Sequence, residues 1–277
     1  MLVLASPADV TACGVYGVLR EWLGEERVMF ITEEELALAP CWEQRLGEGK
    51  TGTRVRLADG TRLDDRGIRG VFNRLQVPDL PQFLRSSEAD RLYALGEVAA
   101  LWLSWLAALP CPVVNPPSPW SLPGPEFPLL QWLDLASRAG LPGRGCTFSS
   151  DPRVFFERGY IPHRISADGT GETVFEPVCT PPFPREPTCF FEPVDGEEEI
   201  VLVSGRHRIG RLGERFSAGL DRLSARAGCN LLQVSFRRSV DTGEWLVTNV
   251  TSFPVTEDPV AHRAIALLLA GEEVPAA

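Results

Sequence analysis

Lysine is almost missing from this sequence. Lys50 is the only lysine, and arginine supplies the rest of the 27 basic residues. A reaction that needs a lysine amine must therefore use Lys50 or do without one. The chain also contains no GxxxxGK[ST] phosphate-binding loop and no GxSxG nucleophile turn. The common sequence signatures of P-loop nucleotide hydrolysis and of serine-nucleophile hydrolysis are thus absent.

Clustered metal ligands and disulfide patterns are missing as well. Seven cysteines are scattered without a CxxC pair, and the three histidines (His163, His207 and His262) lie far apart without an HExxH spacing. These patterns argue against a zinc site and a disulfide scaffold, and they predict reduced thiols. The opening segment MLVLASPADV has no basic region before its short apolar run, so we expect no signal peptide. We predict a cytoplasmic protein.

The charge balance excludes two classes of partner. A formal net charge of -10 does not suit the phosphate backbone of a nucleic acid. The chain has no cluster of basic residues that would bind an anionic membrane surface. Residues 92–109 form a long apolar run, but the run contains Glu97 and stops at Pro110. We therefore expect a core helix there and not a membrane span.

Apolar runs and turn residues predict an α/β protein in two parts. Residues 2–6 and 28–32 read as strands on either side of a helix that ends near Leu23, which predicts a βαβ unit and a parallel sheet. Asp59-Gly60 marks a hairpin, and a buried strand, the apolar helix and a further strand follow. The segment 115–128 is dense in proline and glycine and marks a boundary. The first domain is predicted to span residues 1–117.

The second domain is predicted to span residues 118–277. It begins with a helix over 129–140 and continues with a β-rich part at about 145–195. Its C-terminal part, about 196–277, contains the predicted elements that follow in chain order: a strand ending in EIVLVSG, a helix over 210–228, strands in NLLQVSFRR and EWLVTNV, and a last helix over 259–271.

The order of weak motifs in this second part resembles the ATP-grasp superfamily. The segments that carry the likeness are FFEPVDGEEEIVLVSG (190–205), LLQVSFRR (231–238) and LVTNVTSFP (246–254), preceded by VVNPP (113–117) and GLP (140–142). The resemblance covers nearly the whole chain in order. It implies a pre-ATP-grasp-like α/β domain followed by a shortened ATP-grasp α+β domain.

The resemblance also implies a chemistry whose ligands are missing here. ATP-grasp enzymes activate a carboxylate as an acyl phosphate and hold magnesium between phosphates and carboxylates. The positions that match the family's two acids are Ser235 and Asn249, and its asparagine matches Thr251. The basic residue that precedes them along the chain matches Ile200. Because all these side chains are neutral, we predict that the metal site has been lost.

Several other residues are candidates for binding a nucleotide or an anion. The family's phosphate-binding lysines are absent from about 153–192, where Arg158 and Arg164 could substitute for them. Gly169 and Gly171 lie in SADGTGE (166–172), which is either an anion-binding loop or a hairpin turn. Glu192 matches the family's hinge acid, or it is a solvent-facing strand residue. Arg206 is a further candidate cation.

Three hypotheses about function follow. The first is a pseudoenzyme or accessory binding subunit without magnesium-ATP catalysis, whose partner is a peptide or an intact ATP-grasp ligase. The second is an active ligase that uses ATP and magnesium through non-standard ligands, with Arg158, Arg164 and Arg206 compensating phosphate charge. The third is a magnesium-independent nucleotide or anion sensor. The sequence names neither a substrate nor an oligomeric state.

Overall fold

The computed structural model describes residues 1–47, 50–76, 80–119, 121–149, 161–167, 173–177, 188–192 and 194–271. In those ranges, no helix has the length and apolar character that a membrane crossing requires.

Strands and helices alternate in the first half of the chain, and strands dominate the second half. The strands are β1 (Leu2–Leu4), β2 (Met29–Ile31), β3 (Cys41–Gly47), β4 (Lys50–Arg56), β5 (Arg62–Asp64), β6 (Val71–Asn73), β7 (Val113–Val114), β8 (Cys146–Ser149), β9 (Ile161–Ala167), β10 (Thr173–Pro177), β11 (Thr188–Phe191), β12 (Glu198–Ser204), β13 (His207–Ile209), β14 (Leu231–Arg238) and β15 (Trp245–Thr251). The α-helices are α1 (Val10–Leu23), α2 (Glu33–Ala37), α3 (Glu88–Ala108), α4 (Leu129–Arg138), α5 (Ser217–Ala227) and α6 (Pro259–Ala270).

A parallel sheet forms the centre of the N-terminal half. Its strand order is β2-β1-β6-β7, and each neighbouring pair is parallel. The predicted βαβ unit is therefore confirmed. Helix α1 begins where the Asp9 carboxylate accepts a hydrogen bond from the Ala12 N–H, and it ends at Gly24, whose φ of 91° suits glycine.

A small antiparallel sheet, β3-β4-β5, lies beside α3. Its β4–β5 hairpin turns at the predicted Asp59-Gly60, whereas strand β3 was not predicted. The buried Asp65 carboxylate accepts hydrogen bonds from the Thr53 N–H (2.6 Å) and the Trp105 indole N–H (3.0 Å). These two bonds attach the small sheet to α3.

The prediction of a core helix is correct for only one face of α3. Trp102 and Trp105 are fully buried, whereas Leu92 and Tyr93 are 60% and 71% exposed. The helix is apolar around most of its circumference, and the neighbouring sheets cover one side of it. Its other side faces solvent.

The C-terminal half contains two antiparallel sheets. The first, β10-β9-β11-β8, is built from the described parts of the predicted β-rich region. The second, β13-β12-β14-β15, packs one face on α4 and α5, with Trp132 among the buried side chains. Helix α5 begins at Ser217 and not at residue 210 as predicted, and it ends as expected at Gly228, in the left-handed conformation.

Helix α6 covers half of the opposite face of this second sheet. Leu202 and Leu231 belong to the apolar core that α6 shares with α1 and the parallel sheet, and the Ser204 hydroxyl donates to the Ala264 carbonyl (3.0 Å). The other half of the face, where β12 begins, is not covered by α6. Because one core joins the two halves of the chain, the domain boundary at residue 117 stays a prediction.

The two halves meet at a buried asparagine in the proline-rich junction. The Asn115 amide donates to the carbonyls of Leu231 (2.9 Å) and Ser252 (2.9 Å), and its oxygen accepts from the N–H groups of Asn230 (3.2 Å) and Leu231 (3.0 Å). Gly124 has a φ of 121°, and a Cβ there would lie 2.6 Å from the Asn115 Cβ. Any residue other than glycine at 124 would therefore collide with the Asn115 side chain.

A second buried contact joins the halves. The Arg74 side chain is 2% exposed; it donates to Asp9 (2.6 Å) and to the Pro254 carbonyl (2.9 Å), and its guanidinium carbon lies 3.5 Å from the centre of the Phe253 ring. Burial lowers the pKa of Arg74, and the Asp9 carboxylate opposes that change. This contact fixes the segment that follows β15 against the carboxyl end of β6.

Replacing the junction asparagine should destabilise the whole chain. Asn115→Ala leaves buried backbone groups at Asn230, Leu231 and Ser252 without their partner, which should lower the free energy of unfolding by about 3 kcal/mol. Chemical denaturation of the purified variant measures this change. Asn249→Ala, which truncates an exposed asparagine, is the matched control. A loss for Asn115→Ala no larger than that of the control would contradict the assigned role.

Candidate functional site

Three uncharged side chains, Ile200, Ser235 and Asn249, form a row across the half of the C-terminal sheet that α6 leaves uncovered. We call them the neutral row. The strand register pairs Ile200 with Ser235, and Ser235 with Asn249. Directly paired residues point to the same side of a sheet, so the three side chains are neighbours. They lie on the face opposite the Trp132 core. Ile200 is 49% exposed, Asn249 is also exposed, and Ser235 is only 7% exposed between them.

A β-bulge in β15 sets which of its residues face this side. The register passes from Phe236–Val247 to Ser235–Asn249, which leaves Thr248 as an extra residue. The Thr248 side chain is buried, and its hydroxyl donates to the Ser235 carbonyl (3.3 Å). Val247 therefore faces the core while Asn249 faces outward.

The acidic residues at the start of β12 are bound to arginines. Glu198 forms an ion pair with Arg237 (3.3 Å), and these paired residues lie on the same side of the sheet, one row away from Ile200 and Ser235. Arg211 binds the carboxylates of both Glu197 and Glu199, and this contact lowers the pKa of Glu199. The carboxylates of residues 197–199 are therefore each compensated by an arginine.

Comparison with known proteins gives a consistent result for the fold. No protein-family model matches the chain, and no curated protein sequence matches it either. Solved structures do match over nearly the full length. The macrocyclase MdnC from Microcystis aeruginosa, bound with precursor peptide MdnA, is similar with a TM-score of 0.75 at 14% identity, covering 98% of this chain and 100% of MdnC.

Two further structures support the same assignment. A RiPP-associated ATP-grasp ligase from Chryseobacterium gregarium, in complex with ADP and a leader and core peptide, has a TM-score of 0.72 at 14% identity, covering 99% of this chain and 97% of that one. The D-alanyl-alanine synthetase A of Vibrio cholerae has a TM-score of 0.56 at 11% identity, covering 98% and 97%. The chain has the ATP-grasp fold.

The three side chains at the family's metal-ligand positions do not fit the magnesium site expected in an ATP-grasp ligase. Ser235, Asn249 and Thr251 offer two hydroxyls and an amide, whereas magnesium is typically held by at least one carboxylate. Thr251 lies one row further along, paired with Gln233. Among the described residues, no group of three or more histidine, cysteine, aspartate and glutamate side chains could hold a metal ion.

The predicted anion-binding residues fall largely outside the described part of the chain. Arg158, Gly169 and Gly171 are not among the described residues. Arg164 is described by its backbone alone, which pairs with Glu176 between β9 and β10. Their assignment to a nucleotide or an anion stays a prediction.

Glu192 and Arg206 lie at separate places in the ATP-grasp fold. Glu192 is exposed and follows β11, and its N–H donates to the Gly145 carbonyl (2.9 Å). Arg206 lies in the turn between β12 and β13, beyond the end of the strand that carries Ile200. The structure therefore does not bring Arg206 to the neutral row.

Two charged residues that contact β15 or the loop after it were not identified from the sequence. Arg144 places its guanidinium carbon 4.0 Å from the centre of the Phe191 ring, and its backbone N–H donates to the Val247 carbonyl (3.2 Å). Glu126, from the proline-rich junction, reaches the end of β15. Gly143 separates Arg144 from GLP, and Glu126 is the acid in PGPEFP, but neither segment has a spacing that would predict these contacts.

Glu126 is bound by several donors. Its carboxylate accepts hydrogen bonds from the Ser252 hydroxyl (2.8 Å), the Ser252 N–H (3.2 Å), the Thr251 hydroxyl (3.3 Å) and the Trp132 indole N–H (3.4 Å). Burial raises the pKa of Glu126 above its ordinary value, and the bonds from Ser252, Trp132 and Thr251 oppose this rise. Glu126 therefore orders the loop after β15, and both of its carboxylate oxygens accept hydrogen bonds there.

The raised pKa of Glu126 gives a pH dependence with a definite sign. Because the folded state holds this proton more tightly than the unfolded state, the carboxyl stabilises the fold at acidic pH, and that contribution is lost as the pH rises through the raised pKa. We expect the stability of the wild type relative to Glu126→Gln to fall as the pH rises from the ordinary pKa of a glutamate through the raised pKa of Glu126. Denaturant unfolding of both proteins measures it. A relative stability that stays constant or grows with pH would contradict the assignment.

Proposed function

We propose that this chain is an ATP-grasp-fold binding protein that does not use magnesium-ATP, and that it serves as an accessory subunit or pseudoenzyme. The observation that carries the proposal is the neutral row formed by Ile200, Ser235 and Asn249 on adjacent strands. These are the positions at which the family resemblance expects a basic residue and two acids. The losses therefore concern one patch of the sheet and not unrelated places in the chain.

Without charged side chains at these positions, the chain lacks groups that phosphoryl transfer needs to compensate the charge of the ATP phosphates. Transfer from ATP depends mainly on positioned cations and on metal ions that neutralise the phosphate oxygens. Hydroxyl and amide oxygens bind weakly to an ion that gives up its water reluctantly. The nearby Glu198 and Glu126 do not replace the missing acids, because Arg237 binds the first and four donors bind the second.

A peptide is the partner class that we propose. Two of the similar structures contain peptides: MdnC was solved with its precursor peptide, and the Chryseobacterium gregarium ligase with a leader and a core peptide. A chain that retains this fold without its metal ligands can still bind a peptide and present it to an intact ATP-grasp ligase, which is the second partner in the proposal. The proposed setting is the cytoplasm, in keeping with the free thiols of the described cysteines.

Calorimetric titration of the purified chain with ATP, with and without magnesium, tests the proposal. We expect no saturable binding that requires magnesium, because the row at Ser235 and Asn249 offers no carboxylate. Tight magnesium-dependent binding would overturn the proposal and favour an active ligase with non-standard ligands. Saturable binding that is indifferent to magnesium would favour a nucleotide or anion sensor.

Returning two acids to the row should create a site for a divalent cation. In Ser235→Asp/Asn249→Glu the two carboxylates are cross-strand neighbours, with Cβ atoms about 5 Å apart, so their repulsion is relieved when a cation binds between them. We expect manganese or magnesium to bind at least about tenfold more tightly than to the wild type, as measured by calorimetry. The control is Ser235→Asn/Asn249→Gln, which matches the shapes without the charge. Equal binding to both variants would show that this row is not the site.

A further inference from the structure

A groove of about 780 Å³ opens between the segment that follows α3 and the C-terminal end of α5. The turn between β12 and β13 also lines it. Its size is in the range of sites that hold a small molecule or a few residues of a peptide. None of the described residues that line the groove belongs to the neutral row, so this is a separate site.

The wall supplied by the N-terminal half is apolar. Leu109 and Val113 are half-buried there, and Pro112 and Pro116 are exposed beside them. Ala225, from α5, is an exposed apolar residue of the opposite wall. These side chains suit contact with an apolar group, so the polar recognition of a ligand falls to the other residues of the groove.

Arg208 is held in a fixed position in the lining. Its side chain is 7% exposed, and its Nη1 donates to the carbonyls of Gly205 (2.6 Å) and His207 (2.8 Å), while its Nη2 pairs with Asp221. The Nε of Arg208 is buried and has no acceptor among the described residues. A buried donor without an acceptor is costly, so a ligand oxygen that accepts from it would be favoured.

Asn230 lines the same groove and offers the complementary group. Its backbone N–H donates to Asn115 (3.2 Å), whereas its Oδ1 is buried and meets no donor in the described part of the chain. Arg206, which also lines the groove, is exposed and forms no ion pair with a described residue. Because Asp221 compensates Arg208, the charged residues of the lining keep one net positive charge.

We propose that this groove binds the C-terminal residue of a peptide that ends in an apolar side chain. The terminal carboxylate accepts from Arg208 and pairs with Arg206, the last amide N–H donates to Asn230, and the side chain packs against Leu109 and Val113. A simple fatty acid lacks the N–H, and an internal segment of a peptide lacks the carboxylate. The terminal residue is therefore the group that satisfies all of these contacts.

The inference takes from the proposed function only the class of partner, a peptide, and it names the part of that partner that binds. The two can fail separately, because titration with ATP probes the neutral row and the groove shares no residue with it. Magnesium-dependent binding of ATP would overturn the proposed function and leave the inference about the groove intact.

Ligand-observed NMR titration of the full chain with three small probes tests the groove. We expect N-acetyl-leucine to bind about tenfold more tightly than isocaproate, which lacks the N–H, and than N-acetyl-leucinamide, which lacks the carboxylate. Absence of saturable binding of N-acetyl-leucine, or equal affinity for the three probes, would overturn the inference.

Two pairs of variants locate the binding. Arg206→Gln should weaken N-acetyl-leucine about fivefold and leave N-acetyl-leucinamide unchanged, because only the carboxylate loses a partner. Its matched control is Arg263→Gln, at an exposed arginine that does not line the groove. Ala225→Glu places an acid in the groove and should abolish binding, whereas Ala218→Glu, at an exposed position of the same helix outside the groove, should not. Equal effects within either pair would overturn the assignment to this groove.

A short peptide separates the two sources of this chemical group. Acetyl-Ala-Ala-Leu carries the same terminal residue as N-acetyl-leucine and adds two residues, which can make further contacts along the groove. We expect it to bind severalfold more tightly than N-acetyl-leucine and to respond in the same way to Arg206→Gln. Weaker binding of the peptide would overturn the peptide as the ligand and favour a free N-acyl amino acid.

Discussion

The hydrogen bonds of one buried amide determine how the parts of this molecule are held together. Asn115 holds the start of β14 and the residue that follows β15, so two of the three strands that carry the candidate site are fixed at the same point as the junction. Buried polar groups are costly unless paired, and here the pairing is with backbone. The neutral row therefore lies on strands whose position relative to the parallel sheet is defined by a few short contacts, including that of Arg74 with Pro254.

The three neutral side chains of the row are compatible with one another. Two adjacent carboxylates without a metal would repel one another, and an isolated arginine beside them would lose its partners. With Ile200, Ser235 and Asn249 in these places, neither difficulty arises. The remaining ion pair of Glu198 with Arg237 is complete in itself. A surface of this kind suits contact with a ligand of low charge better than contact with a triphosphate.

Much of the fold could be predicted from local patterns, whereas most of the contacts could not. Apolar runs identified β1, β2 and β12, the helical pattern correctly placed the end of α1 near Leu23, and Gly228 correctly marked the end of α5. Strand β3 was missed because its sequence, CWEQRLG, has three consecutive polar residues and no alternation of apolar and polar positions. Glu126 and Asn115 act on residues more than 100 positions away, and no periodic pattern reports such pairings. The exposure of one face of α3 could not be predicted either. Reading a helix from its apolar residues assumes that those residues are buried, and on this face they are not.

The bulge at Thr248 also determines how substitutions could change the charge of this sheet face. It lets β15 carry an additional residue while Val247 and Val250 both stay in the core and Asn249 keeps its outward direction. The outward direction of residue 249 is therefore set by the backbone and not by the side chain at that position. Acidic side chains at 235 and 249 would need no new loop, insertion or register to lie side by side on this face, so its charge can be changed by substitution alone.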